Sequence, residues 1–277
     1  MKYKLTNETK EVKGRKLYRI EAVSDFSDVK KGDKGGWVES ESNLSQSGKS
    51  WIYDEAEVYG EAEIYGNAFV YGKAMVYGNA SVFGNAGIYG EAEIYENAEI
   101  YGETEIYGNA FVYGNAEIYG NTWAFDNARV YGNAKIYGNA EIHGNAHVYD
   151  NASVGGNAVI SGNVVISGNA EIFGDACVYD NAKVSGDAEI YGDACVYDNA
   201  KVSSNAEISC EAVCTKDPIV IVGLRYKITI SDLHILIGCE SHTKEEWKSF
   251  TNKEIIAMDG KKSIKFWNKY KDFILKM

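Results

Sequence analysis

The chain has 277 residues, of which 45% are hydrophobic, and a formal net charge of −12, so it can bury a sizeable core. Its 29 glycines follow no three-residue period, which excludes collagen, and its many aromatic and β-branched residues argue against disorder. No apolar run approaches the roughly 20 residues that span a bilayer, so no membrane partner is expected. The opening MKYK lacks the apolar core of a secretory signal, and the five cysteines are few and odd in number. We therefore expect a cytoplasmic protein with reduced thiols.

Residues 1–51 contain no regular repeat, and we expect them to form an N-terminal cap. Residues 17–23, LYRIEAV, predict a strand, and the glycine-rich residues 32–38, GDKGGWV, predict a turn that leads into the next segment. The first coil of a repeat column exposes unpaired strand edges, which is why a cap is expected at this end.

Residues 52–214 repeat every six residues without an insertion or deletion, and the 27 units that begin at Ile52 to Ile208 have the consensus Ile/Val-Tyr-Gly-Asn-Ala-x. The first position is Val or Ile in 26 units, and the fifth is Ala in 24. Ala and Val/Ile alternate with outward positions, which predicts a short strand that buries both small apolar residues. Gly and Asn tolerate positive φ and predict a corner after each strand. The segment is therefore expected to be a solenoid.

An internal duplication indicates how many units complete one coil. The sequence GDACVYDNAKVS occurs at residues 174–185 and again at residues 192–203, an offset of 18 residues or three units. A shorter repeat, YGNAFVY at Tyr65 and Tyr107, is offset by seven units and does not support this period. We weigh the longer match more heavily, and it predicts a mainly β triangular prism of about nine coils.

The unbroken hexads resemble the left-handed parallel β-helix of hexapeptide-repeat proteins, and this resemblance supplies the handedness. Residues 25–54, DFSDVKKGDKGGWVESESNLSQSGKSWIYD, resemble the opening region of YdcK-type bacterial proteins and their prophage relatives. These hexapeptide-repeat proteins are often labelled acyltransferases. The resemblance covers the cap and, more loosely, the repeat. It implies a phage or prophage source and makes acyl transfer one candidate activity.

Residues 215–277 are expected to form a small C-terminal α+β domain. Residues 219–222, 226–230 and 234–237 are apolar and predict short strands. Thr243 with Glu246 and Thr251 with Glu254 have the spacing of two capping boxes. A final amphipathic helix is predicted from the spacing of Ile264, Trp267, Tyr270 and Ile274. This domain would cover the last coil and is a second surface through which a partner or another copy of the chain could bind.

The charge is segregated along the chain. Residues 52–214 hold 24 acidic and 5 basic residues, a net of −19, whereas residues 1–51 carry +3 and residues 215–277 carry +4. With coils ~4.8 Å apart, the column bears about one charge per 2.3 Å. Duplex DNA bears one per roughly 1.7 Å. The sequence thus argues against direct nucleic acid binding by the column and favours a protein partner built to hold nucleic acid. A purely solubilising role for the charge remains the alternative.

The second position of the hexad is aromatic in 20 of 27 units, so residues 18 apart should stack in ladders. Stacking alone would stabilise the sheets. Three aromatic stripes also suggest an interface, for a partner or for a homo-oligomer. The candidate partner-binding residues are the tyrosine ladder, the neighbouring glutamates and two further aromatic residues: Tyr59, Tyr77, Tyr95, Tyr113, Tyr131, Tyr149, Glu57, Glu63, Glu93, Glu99, Glu105, Glu117, Phe111 and Trp123.

Catalytic, cofactor and metal residues are not assigned from the sequence. Hexapeptide acyltransferases use a histidine and usually a loop that interrupts the repeat, but this repeat is uninterrupted and neither His143 nor His147 lies in a matching motif. Asp175 and Asp193 lack a full set of oxygen ligands for a cation. Cys177 and Cys195 should lie one coil apart on an outer face, and no CxxC pair is present. No cofactor is therefore expected.

These observations lead to three hypotheses about function. The first is a non-enzymatic, phage- or prophage-encoded binding protein whose acidic column imitates nucleic acid and inhibits a nucleic-acid-handling host or defence enzyme. The second is a hexapeptide-repeat acyltransferase, which rests on the resemblance alone. The third is a structural or self-assembling module that uses the aromatic ladders.

Overall fold

Residues 18 apart in sequence pair in parallel register, as Ile88 pairs with both Val70 and Ile106. Three two-residue strands therefore complete each coil, and the predicted left-handed triangular β-helix of about 18 residues per coil is confirmed. The computed structural model describes residues 1–277 and has about ten coils. The coil beyond the predicted nine lies mostly in the cap segment, where Val38 pairs with Val58 and Leu44 with Ile64; Ile52, the first residue of the repeat, completes this coil by pairing with Val70.

The strands form three long sheets, one on each face of the prism. The sheet that includes the N-terminal hairpin, called the cap face, contains Tyr3–Val12, Arg15–Ala22, Lys34–Val38, Glu57–Val58, Met75–Val76, Glu93–Ile94, Phe111–Val112, Arg129–Val130, His147–Val148, Val165–Ile166, Lys183–Val184 and Lys201–Val202. The acidic face contains Glu63–Ile64, Ser81–Val82, Glu99–Ile100, Glu117–Ile118, Lys135–Ile136, Ser153–Val154, Glu171–Ile172, Glu189–Ile190 and Glu207–Ile208. The apolar face contains Trp51–Ile52, Phe69–Val70, Gly87–Ile88, Glu105–Ile106, Trp123–Ala124, Glu141–Ile142, Val159–Ile160, Cys177–Val178, Cys195–Val196 and Val213–Cys214.

The interior of the prism is a single continuous core of 60 buried residues. It is built from the Val/Ile and Ala positions of the hexads, nearly all fully buried, as the inward alternation predicts. Two threonines, Thr104 and Thr122, replace Ala in the core. Their hydroxyl groups lie one coil apart and form a hydrogen bond of 3.1 Å. The hydroxyl of Thr104 also donates to the Tyr101 carbonyl at 2.8 Å, so both buried hydroxyl groups have a hydrogen-bonding partner.

The N-terminal end of the column exposes carbonyl groups, and the cap supplies donors for them. Each coil donates its N–H groups to the following coil, as Trp37 N does to Ala56 O, so the first coil keeps free carbonyls. The Lys2 ammonium donates to the Ser50 carbonyl at 2.7 Å, and the Tyr3 hydroxyl donates to the Leu44 carbonyl at 2.7 Å. Burial lowers the pKa of Lys2 to about 8.

The opposite end of the column exposes N–H groups, and side-chain oxygens of the C-terminal segment accept from them. The Asp217 carboxylate accepts from Lys201 N at 2.8 Å, and the Thr229 hydroxyl accepts from Glu207 N at 3.3 Å. The Asp232 carboxylate accepts from Thr215 N at 3.0 Å. Donors thus cover free carbonyl groups at the N-terminal end, and acceptors cover free N–H groups at the C-terminal end. Both segments therefore act as caps on the open strand edges of the solenoid.

The C-terminal segment is an antiparallel meander followed by two helices. Its strands are Ile219–Ile221, Ile228–Ile230, His234–Ile237 and Glu240–Thr243, and its helices are α1 (Lys244–Ser249) and α2 (Asn252–Ile274). Both predicted capping boxes are present, since Thr243 and Thr251 accept from the backbone of Glu246 and Glu254. The fourth strand was not predicted because its sequence, ESHT, is polar. Helix α2 is kinked at Asp259 and Gly260. Neither helix combines the length and apolar character needed to cross a lipid bilayer.

Candidate functional site

Most glutamates at the outward positions of the two-residue strands lie on the acidic face. Its nine outward strand residues include six glutamates and one lysine. Glu99 lies opposite Glu117, and Glu189 lies between Glu171 and Glu207 on adjacent strands. Like charges in directly opposed positions repel each other, so this face holds unfavourable charge contacts that a cation would relieve.

Only two glutamates of the acidic face have basic partners. Glu117 contacts Lys135 at 3.3 Å and Glu207 contacts Lys227 at 2.7 Å. The other four make no ion pair, and all four side chains are exposed: Glu63, Glu99, Glu171 and Glu189. This group of four is called the free glutamate column below.

The apolar face has a different composition. Its outward strand positions hold two glutamates, no basic residue and mostly apolar side chains: Trp51, Phe69, Trp123, Val159, Cys177, Cys195 and Val213. Trp123 is 44% exposed and is flanked on the neighbouring strands by Glu105 and Glu141. The two-residue strands of the cap face are nearly balanced in charge, because Arg129, Lys183 and Lys201 accompany Glu57 and Glu93.

The structure distributes the predicted partner-binding residues over all three faces. Glu57, Glu93 and Phe111 lie on the cap face with the ladder Tyr59 to Tyr149, whereas Glu105 and Trp123 lie on the apolar face. Glu63, Glu99 and Glu117 lie on the acidic face. No single face contains the whole set. The net charge of residues 52–214 does not reveal this separation, because it is a sum over all three faces.

The predicted tyrosine ladder is present as a continuous stack. The rings of Tyr59, Tyr77, Tyr95, Tyr113, Tyr131 and Tyr149 are nearly parallel, with neighbouring centroids 4.8–5.0 Å apart. The cap hairpin covers the first two rings: Lys13 lies 4.5 Å from the Tyr77 ring centroid and Arg15 lies 6.0 Å from that of Tyr59. Tyr59 is buried, and Glu57 is bound by Lys10 at 2.8 Å, so neither belongs to an exposed surface.

Stacking also accounts for one of the two histidines of the repeat. His143 replaces a tyrosine and its ring stacks on Phe125 with centroids 4.7 Å apart. His147 lies edge-on to Tyr131, and burial together with Arg129 lowers its pKa. The two side chains extend aromatic packing.

The corner asparagines form amide ladders along the column. Asn79, Asn97 and Asn115 donate in sequence to the amide of the next coil at 2.9–3.0 Å. This ladder ends where Asn169 donates to the Asp187 carboxylate, and a second ladder ends where Asn157 donates to the Asp175 carboxylate. No group of three or more His, Cys, Asp or Glu side chains is placed to hold a metal ion.

Cys177 and Cys195 lie directly opposite each other on adjacent strands of the apolar face, and both thiols are free. Neighbouring parallel strands lie ~4.8 Å apart, which is within the range of Cα separations that disulfides span. Burial, and then the neighbouring Cys177, raise the pKa of the Cys195 thiol to about 11, so the reactive thiolate is scarce at neutral pH.

We expect diamide at pH 9 to link Cys177 to Cys195 within one chain. Thiol titration would then fall from five to three free cysteines, and peptide mass spectrometry would identify the linked pair. The Cys195→Ser variant is expected to keep its remaining thiols. A bridge from Cys177 or Cys195 to any other cysteine would contradict the 18-residue register on this face.

An apolar pocket lies in the C-terminal segment, where the sequence analysis did not predict a site. Its volume is about 250 Å³, and it lies between the meander and the kinked helix α2. Its walls include four aromatic residues, Tyr226, Trp247, Phe266 and Trp267, together with Ile237, Cys239, Glu240, Ile255, Met258, Asp259 and Ser263. The only sequence signal for it was Gly260 within a segment of helical pattern.

The chain shares a short stretch of sequence similarity with a known bacterial protein. No family model matches the chain. Over 39 residues the chain is 51% identical to an Escherichia coli (strain K12) protein named "Uncharacterized acetyltransferase YdcK". The matched stretch covers 14% of this chain and 12% of that protein. This match, the hexads and the β-solenoid together fit a hexapeptide-repeat family.

Proposed function

We propose that the chain is a non-enzymatic binding protein whose acidic face docks on the basic, nucleic-acid-binding surface of a protein partner. The free glutamate column carries this proposal, because four exposed carboxylates on one face have no basic partner within the chain. The prophage resemblance of the sequence makes a host or defence enzyme the first partner to test. In such a complex the acidic face of the β-helix would occupy the partner's groove that otherwise binds nucleic acid.

The spacing of the carboxylates supports a long, groove-shaped partner surface. Strands on the acidic face repeat at ~4.8 Å, which is shorter than the Debye length of about 8 Å at physiological salt. Neighbouring glutamates such as Glu171 and Glu189 therefore repel each other without effective screening. Lysine or arginine side chains of a partner would remove this repulsion, so association would be steered by charge and would weaken as salt rises.

The test begins with a partner captured from the natural host and identified by mass spectrometry. Its affinity for the chain is then measured at 50–300 mM salt, with and without competing duplex DNA. We expect glutamine substitution of all four free glutamates, Glu63, Glu99, Glu171 and Glu189, to weaken binding about 30-fold. This follows from roughly 0.5 kcal/mol for each exposed charge pair. We also expect DNA and the chain to compete.

A matched variant separates a specific face from total charge. It carries glutamine at four glutamates that lie away from the acidic face: Glu105 and Glu141 on the apolar face, Glu93 on the cap face, and Glu91 at the corner between these two faces. Its net charge equals that of the first variant, and we expect it to bind within about threefold of the unmodified chain. Equal losses in the two variants, or binding that DNA does not displace, would contradict docking through the acidic face.

A second candidate function, acyl transfer, is favoured by the 39-residue match to a protein named as an acetyltransferase. Calorimetry with acetyl-CoA tests it directly. We expect no heat of binding. Saturable binding of acetyl-CoA would make acyl transfer the preferred function and would remove the basis for a non-enzymatic role.

A further inference from the structure

We propose that the C-terminal pocket binds a small organic cation, of the aryl- or alkylammonium class. The pocket is separate from the acidic face of the column, and its walls belong to the meander and to helices α1 and α2. Its volume of about 250 Å³ exceeds that of an apolar cavity of about 150 Å³ that admits benzene. The pocket therefore has room for a ligand of about ten non-hydrogen atoms.

The pocket walls favour an apolar ligand that carries positive charge. Four aromatic residues line the pocket, and aromatic walls attract ammonium groups through their ring quadrupoles. The titratable groups of the lining are the carboxylates of Glu240 and Asp259, the Tyr226 hydroxyl and the Cys239 thiol, and the lining includes no lysine or arginine. An anionic ligand would therefore meet two like charges and no cation in the walls.

The two carboxylates differ in how they are already engaged. Asp259 accepts from the Tyr226 hydroxyl and lies 3.7 Å from Arg225, so its charge is largely compensated. Glu240 contacts only His242, at 3.3 Å. Glu240 is consequently the carboxylate that would face the ammonium group, with the aromatic residues around its substituents.

The kink in helix α2 keeps the pocket open. Asp259 and Gly260 leave the helical conformation, and Gly260 has φ +64°, which favours glycine. The Ser263 hydroxyl lies within hydrogen-bonding distance of the Gly260 carbonyl, at 2.8 Å, and of the Ile255 carbonyl, and its single proton is shared between them. These bonds occupy backbone carbonyls freed by the kink, so the break is a stable feature of the helix.

Titration of the full chain with phenyltrimethylammonium tests the proposal. A ligand of about ten heavy atoms should bind such a pocket with a dissociation constant of about 1 mM. The site can be located from the indole N–H signals of the five tryptophans in the NMR spectrum. We expect the signals of Trp247 and Trp267 to shift, while those of Trp37, Trp51 and Trp123 stay unchanged.

Three controls make the outcome decisive. Benzoate has the same ring with the opposite charge and should bind at least tenfold more weakly. Glu240→Gln should weaken binding of the cation about three- to tenfold, whereas Glu245→Gln, on the exposed side of α1, should leave it unchanged. Equal binding of benzoate, no indole shift up to 10 mM cation, or equal effects of the two substitutions would each overturn the proposal.

Discussion

Replacing Gly156 with valine is expected to destabilise the column by about 4 kcal/mol, whereas aspartate at the same position should cost about 1 kcal/mol or less. Gly156 has φ +69°, and an added Cβ would lie 2.6 Å from the backbone nitrogen of Gly174 in the next coil. Both substitutions add this Cβ, but valine also has two γ-methyl groups, and no rotamer turns both of them away from the next coil.

The sequence itself contains the control for this prediction. Eight corner positions of this kind hold residues other than glycine, all with positive φ: Asp54, Glu96, Asp126, Asp150, Asp180, Asp198, Ser204 and Cys210. None of the eight is branched at Cβ. Four of the aspartates, including Asp126 and Asp150, accept a hydrogen bond from the backbone nitrogen 18 residues later. Aspartate at position 156 could accept from Gly174 in the same way.

The free energies of unfolding of Gly156→Val, Gly156→Asp and Gly14→Val, measured in urea, separate the cost of backbone strain from the cost of contact between coils. Gly14 has φ +75° in the cap hairpin, and nothing lies within 4 Å of an added Cβ. Gly14→Val thus reports backbone strain alone, which is about 1–2 kcal/mol. Similar losses for Gly14→Val and Gly156→Val would mean that contact between coils does not limit the corner.

The β-helix could be predicted from the sequence because every six-residue unit repeats the same pattern. Each unit has one short strand of alternating inward and outward residues and one corner. The Asn ladders, tyrosine stacks and buried Cys214 follow from the 18-residue period. The duplication at residues 174–203 was the decisive signal, since only a long match distinguishes three units per coil from other numbers.

The first coil and the C-terminal pocket could not be predicted in the same way. Trp37 and Leu44 occupy the first coil without the hexad, and their placement depends on hydrogen bonds with residues far along the chain. The pocket depends on a helix kink at Gly260 and on packing between the meander and α2. Neither is encoded in a local period. The segregation of charge among three faces became visible only once each outward residue was assigned to its face.

The tyrosine ladders should make the protein lose stability steeply above pH 10. Burial raises the pKa of most ladder tyrosines, and it raises those of Tyr59, Tyr95 and Tyr191 to about 12. Tyr77 is raised as well, first by burial and then by the hydrogen bond from its hydroxyl to Glu93 at 3.0 Å. An unfolded tyrosine ionises near pH 10, so between pH 10 and 12 the unfolded chain binds fewer protons than the folded chain. The stabilisation is complete below pH 10 and is lost as the pH rises through about 12.

Two cysteines and one lysine also change the free energy of unfolding at alkaline pH, and their effects must be separated from that of the tyrosines. Burial raises the pKa of Cys214 to about 12 and that of Cys195 to about 11, and both therefore add to the alkaline loss. The lowered pKa of Lys2, about 8, has the opposite effect: its unfavourable contribution disappears as the pH rises from 8 to about 10.5. A variant that changes only tyrosine hydroxyls isolates the ladder from these groups.

That variant replaces Tyr95, Tyr113 and Tyr131 with phenylalanine, which keeps stacked rings and removes three ionisable hydroxyls. Urea midpoints at pH 8, 10, 11 and 12 should fall less steeply for this variant than for the unmodified chain. In the unmodified chain, phenolate absorbance at 295 nm should appear together with the loss of β-sheet circular dichroism. Because a stacked, partly buried ring resists ionisation, tyrosines that titrate near pH 10 while the β-sheet signal persists would show that the ladders are open to water.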